Sequence, residues 1–234
     1  MCVQQSLLSE EKMEHVYQPI WDLVQWTSFG YEALLRIKGG VQVEQLLQQA
    51  RNEGCLYEVD TMAIESSIRC FPFMNFQKQL LFINVYPSTI LDDRFLPFVR
   101  ELLRKYPEIK GRIVFELSET NAERELWAND ALKETLQTMK SHGFFIAIDS
   151  VGESAFTFEN MMNLQPDYVK LDRRFANELA TNQEKQKLIS LFVNYCRPKA
   201  IVLEGIEKEI DLAQAKFLRV SIAQGYLLGI PEKL

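Results

Sequence analysis

The sequence predicts an α/β fold, built as a closed (β/α)8 barrel. Three observations carry that reading. Eight short apolar runs fall within 234 residues. Longer amphipathic segments separate them, the pattern of βα units on a mostly parallel sheet. No Pro/Gly-rich or low-complexity stretch intervenes, so residues 1–234 read as one domain with 1–12 as a lead-in. A doubly wound open sheet is the alternative. No G-x-G-x-x-G follows a strand, which counts against its dinucleotide-binding form.

The elements follow in order. Residues 15–20 and 29–36 are rich in Ile, Val, Phe and Leu and short enough for buried strands. Residues 41–51 and 56–69 read as helices divided by Gly54. Strand 80–84 comes next, then a helix near 96–103 that Asp92, Asp93 and Pro97 introduce. After strand 112–116, residues 121–142 read as one helix with Leu132, Leu136 and Met139 on a face and Gly143 as its stop. Strands 144–149 and 168–172 follow. Helix 184–196 groups Leu188, Leu191, Phe192 and Tyr195. Strands 200–204 and 220–224 close the series.

Composition bounds the function. Hydrophobic residues make up 47% and charged residues 25%, a globular balance that can bury a core without metal or disulfides. The net charge of −6 argues against a nucleic-acid polymer as partner. The four cysteines, Cys2, Cys55, Cys70 and Cys196, form no C-x-x-C, and His15 and His142 stand alone. A His/Cys zinc site is therefore not expected. The first residues lack a basic stretch and a long apolar run, and no segment reaches the ~18 apolar residues of a membrane span. A cytoplasmic protein without membrane contact is expected.

The strand ends carry the chemistry. They present Asn84, Glu116, Asp149, Lys170 with Asp172, Glu204 and Gln224. Polar groups ending successive parallel strands converge on the mouth of a barrel. Any single Asp or Asn there could simply cap the next helix. Glu and Gln are poor caps, so Glu116, Glu204 and Gln224 favour a shared site. Clustered carboxylates repel unless a cation sits among them, and oxygen donors without His or Cys favour Mg²⁺, Mn²⁺ or Ca²⁺. Phosphate-ester hydrolysis and enolate chemistry both suit such a site, and Lys170 could orient water, act as a base or balance charge.

Several segments are more specific. YEALLR at 31–36, preceded by YQPI at 17–20, is similar to the EAL domain, the bacterial cyclic di-GMP phosphodiesterase family. FINVYP at 82–87, FELSE at 115–119, AID at 147–149, PDYVKLD at 166–172, LEGIE at 203–207 and QGYLLG at 224–229 follow in the family's order. The resemblance spans nearly the whole chain. It implies a TIM-like barrel whose first strand runs antiparallel to the rest. It implies Glu32, Asn84, Glu116 and Asp149 as ligands of one Mg²⁺ or Mn²⁺, with Ca²⁺ binding without supporting turnover. Lys170 matches the lysine at the catalytic water, and Glu204 the glutamate near a second metal. Gln18, Arg36 and Gln224 match the substrate groove, and Glu119 matches a brace for the loop after Asp149. The implied ligand is cyclic di-GMP, cut to linear pGpG by two metals that flank the phosphodiester. A homodimer and a separate regulatory protein are the further partners it suggests.

The loop after Asp149 departs from the family pattern DDFGTGYSSL. This chain reads DSVGESAFTF at 149–158, with Ser150 in place of the second aspartate and Gly152 retained. A neutral hydroxyl is a poorer ligand for a hard cation. The resulting expectation is a cyclic di-GMP-binding domain with weak or lost hydrolysis. The alternatives are an active phosphodiesterase whose second metal Glu153 or a water rescues, a barrel used for protein contacts, and an enolase-type enzyme. Enolate chemistry does not require the YEALLR and QGY segments.

Overall fold

The computed structural model describes residues 12–76, 78–117, 121–151, 158–196 and 201–234. Eight strands close a barrel in sequence order: β1 (Met13–Asp22), β2 (Thr27–Ile37), β3 (Leu80–Val85), β4 (Ile113–Leu117), β5 (Phe145–Val151), β6 (Tyr168–Leu171), β7 (Ile201–Leu203) and β8 (Ile222–Gln224). β1 pairs antiparallel with β2 and β8, and every other neighbour is parallel. The barrel and its reversed first strand are those the sequence reading expects.

Side chains alternate along a strand, so residues two apart share a face. Inside the barrel this produces layers. Phe29, Phe145 and Tyr168 pack against Phe82 at one end, with Ile20, Leu80, Val114, Ala147, Val202 and Ile222 alongside. Two residues farther along their strands, Phe82 gives way to Asn84, Val114 to Glu116, Ala147 to Asp149, Tyr168 to Lys170, Val202 to Glu204 and Ile222 to Gln224. On β2, Gly30 precedes Glu32 in the same way. On the reversed β1, Ile20 is matched by Gln18. The strands thus deliver one polar layer above an apolar floor. Gly30 is needed in that floor, since a Cβ there would lie 2.5 Å from the Leu80 carbonyl oxygen.

Helices cover the outside: α1 (Val43–Asn52), α2 (Leu56–Cys70), α3 (Pro87–Ile90), α4 (Phe95–Lys105), α5 (Asp130–Ser141), α6 (Phe158–Leu164), α7 (Arg173–Ala176), α8 (Gln183–Tyr195) and α9 (Glu209–Phe217). The longer ones bury apolar faces, as α4 does with Phe95, Val99 and Leu102 in the main core.

Two helix expectations need correction. Residues 121–142 are not one helix. A 3₁₀ helix, Asn121–Ala128, precedes α5, and Asn129 caps the break by accepting a hydrogen bond from the Ala131 amide at 2.9 Å. In α8 the buried residues are Ile189 and Phe192, while Leu188, Leu191 and Tyr195 are about half exposed. β5 also outruns Asp149, ending at Val151. Cys55, Cys70 and Cys196 form no disulfide among the described residues, and no described helix is long and apolar enough to cross a membrane.

Candidate functional site

The polar layer is a ring of carboxylates around one ammonium. Lys170 is fully buried, and its Nζ lies 3.0 Å from Glu32, 2.8 Å from Glu116, 3.7 Å from Asp149 and 2.8 Å from Glu204. Gln224 Nε2 donates to Glu32 Oε2 at 2.8 Å and to Gln18 Oε1 at 3.1 Å, and Gln18 Nε2 donates to the Gly229 carbonyl. Asn84 hydrogen-bonds Glu32. The sequence-selected residues on seven strands therefore meet, with Glu204 one residue past β7.

Four positions differ in emphasis. The Gln224 amide braces Glu32, and Gln18 in turn braces Gln224. Asp172, noted at the end of β6, caps α7 by accepting from the Arg174 amide at 2.8 Å, so it serves the helix and not the ring. Arg36 lies beyond the ring on β2, exposed, its Nη1 donating to the Leu35 carbonyl. Glu119, Gly152 and Glu153 lie outside the described residues.

Burial and charge set the protonation of the ring. Burial opposes the charge on Lys170, but Glu116, Glu204, Glu32 and Asp149 together hold its pKa well above the ordinary lysine range. Burial also opposes ionisation of Glu32. The Lys170 charge and hydrogen bonds from Gln224, Lys170 and Asn84 prevail, so Glu32 stays below the usual carboxylate range. Glu116 is pushed well up by burial and by its acidic neighbours. Burial raises Asp149 too, and lifts Glu204 to about 8.

The donor set suits a hard divalent cation. The oxygens are drawn toward Lys170, and among the described residues no three acidic, His or Cys side chains are already gathered into a cage. Glu116 supplies the fit. It is fully buried; its Oε1 pairs with the Lys170 ammonium at 2.8 Å, while Oε2 has no hydrogen-bond partner. That leaves one fully buried carboxylate oxygen open to a cation shared with the neighbouring acids.

Next to Asp149 the strand carries a bulge. Ile148 pairs with Val169 and Val151 with Leu171, so two β5 residues stand opposite Lys170. The extra residue is Ser150, at φ +51°, and its amide donates to Asp149 Oδ1 at 2.8 Å. A cavity of about 620 Å³ opens beside the ring, lined by Arg36, Asn84, His15, Asp60 and Tyr86 among others. Asp60 accepts from the Tyr86 amide at 3.0 Å. The sequence reading missed Asp60 and set His15 aside as solitary. One signal for His15 was available: it alternates with Met13 and Tyr17 on an otherwise apolar strand face.

Comparison with known proteins agrees with this architecture. The family model described as "EAL domain" matches residues 2–231. The cyclic di-GMP phosphodiesterase PdeF of Escherichia coli K12 is 28% identical over 213 residues, 87% of this chain and 28% of PdeF. The chain thus spans a little over a quarter of that relative's length. Among solved structures, PaMucR phosphodiesterase in its c-di-GMP complex has a TM-score of 0.84 at 24% identity, covering 97% of this chain and 95% of that one. The Klebsiella pneumoniae BlrP1 manganese and cyclic di-GMP complex has a TM-score of 0.83 at 19% identity, covering 97% of this chain and 57% of that one. With a family match over nearly all its residues and the ring of acids at the barrel mouth, the chain belongs to the EAL-domain family.

Proposed function

We propose that this domain binds cyclic di-GMP at a divalent-metal site of Glu32, Asn84, Glu116 and Asp149, and that its hydrolysis of the ligand to linear pGpG is weak or lost. The observation that carries the reading is the fully buried Glu116 carboxylate in the ring, with Oε1 on Lys170 and Oε2 without a hydrogen-bond partner. Mg²⁺ or Mn²⁺ held there would supply Lewis-acid stabilisation of charge on the phosphate oxygens. The relatives' names supply the ligand, and the manganese complex of BlrP1 supports the class of metal.

The chain's own groups have distinct tasks. Lys170 and Glu204, 2.8 Å apart, hold a proton between them next to the ring, where they can orient a water for attack. Arg36, at the rim, offers a guanidinium for the phosphate. Gln224 holds Glu32 in place, Gln18 braces Gln224, and both border the groove. Ser150 accounts for the loss of rate. It brings no negative charge where the family pattern has a second aspartate, and its amide is bonded to Asp149. A second cation then has too few anionic ligands.

A chromatographic time course of cyclic di-GMP with Mn²⁺ tests the reading, with titration calorimetry on the same protein. Binding with little or no linear product is expected, and Glu116→Gln should abolish binding. Rapid turnover would favour a rescued second metal. Absence of binding would leave a barrel used for protein contacts.

A further inference from the structure

The cavity beside the ring has two ends. Asn84 lines it near the carboxylates, while His15 and Ser67 line it where β1 packs on α2, with Arg36 opposite Glu14 on the neighbouring strand. His15 is three residues from Gln18, or ~10 Å along β1, and lies on the opposite face of that strand, with Met13 and Tyr17. It is 7% exposed, and neither Nδ1 nor Nε2 has a hydrogen-bond partner. Its neighbours do not meet the need. The Tyr17 ring is 6.5 Å away, with its hydroxyl donating to the Ser67 carbonyl, and Ser67 Oγ donates to the Ile64 carbonyl. Folded chains rarely leave a buried polar ring in that state, because it forfeits its hydrogen bonds to water.

We propose that His15 is a specificity-determining residue whose imidazole hydrogen-bonds the edge of one purine base of the cyclic dinucleotide, with that nucleotide's phosphate at Arg36. The proposal rests on the cyclic di-GMP reading above and deepens it. Burial keeps the ring neutral, so it offers one N–H and one lone pair. Purine edges present acceptors such as guanine N7 and O6, which an N–H can satisfy. Gln42, Glu44 and Asp60 also line the cavity, while Leu35, Val43 and Leu47 give it an apolar stretch that suits the face of a flat heterocycle.

Titration calorimetry of the Ca²⁺-loaded protein with cyclic di-GMP tests this. His15→Leu should weaken Kd about tenfold, the loss of one hydrogen bond. His15→Gln, which keeps a donor and an acceptor, should recover most of it. The Tm of His15→Leu should equal or exceed the parent's, because the unbonded ring is gone. If that variant does not fold, His15→Met supplies the same comparison. Parent and His15→Leu binding equally would overturn the proposal and leave the cyclic di-GMP reading intact. A parent protein that binds no cyclic di-GMP would overturn both.

Discussion

Ser150 shows how one side chain sets the chemistry of its neighbour. Its φ of +51° is left-handed, which costs a non-glycine residue roughly 1 kcal/mol. Aspartate tolerates that conformation better than most residues. Ser150→Asp should therefore fit the bulge, restore a negative charge beside Asp149 and raise the rate of linear dinucleotide formation. An unchanged rate would place the defect elsewhere in residues 152–157. Lys170 offers a second test. It is the buried cation that four carboxylates share, and removing one partner of such a set strands the others. Lys170→Met should lower stability by about 3–5 kcal/mol without metal. Excess Mn²⁺ should raise the Tm of both proteins, and that of the variant more, because a ligand of the native state stabilises it. Equal shifts in the two melting curves would show that Lys170 and the metal do not use the same oxygens.

Among the elements, α5 owes its start to Asn129. Replacing that cap with alanine should cost about 1 kcal/mol, visible as a lowered midpoint in urea. This break is also where the sequence was hardest to read. Neither Gly nor Pro marks it, and the apolar periodicity of 132–139 does not reveal where the helix begins. The strands were legible because a buried parallel strand has only to be short, apolar and β-branched. Their polar ends were legible because Glu and Gln are poor caps. The α8 face was misjudged for a related reason. Leu188, Leu191 and Tyr195 keep helical spacing, but the barrel takes Ile189 instead, and only tertiary packing decides between two apolar stripes on one helix. Long-range pairs left no local trace. Arg51 of α1 pairs with the buried Glu123 of the 3₁₀ helix, and Glu123 also accepts from the Ser88 hydroxyl at 2.6 Å.

For the whole molecule, two buried groups near the cavity oppose each other in acid. Burial and the Arg69 charge lower His15 to about 4 from an ordinary 6.5, so the stability it depends on is complete above pH 6.5 and drains away toward pH 4. Burial raises Asp60 to about 7 from an ordinary 3.8, so its charge penalises the fold above pH 7 and fades as pH falls toward 4. Each effect is on the order of 3 kcal/mol. Denaturant titrations between pH 7 and 4 should show Asp60→Asn losing more stability in acid than the parent, and His15→Leu losing less. Parallel profiles for all three proteins would mean that neither group is buried as described. The ring itself has a consequence for synthesis. It closes only where β1 pairs with β8, strands at opposite ends of the barrel sequence. On a ribosome, a nascent chain can build the early strands but holds no assembled ring until β8 has emerged. Until then Glu32 lacks the amide of Gln224, and truncation before that strand should release a chain with no binding activity at all.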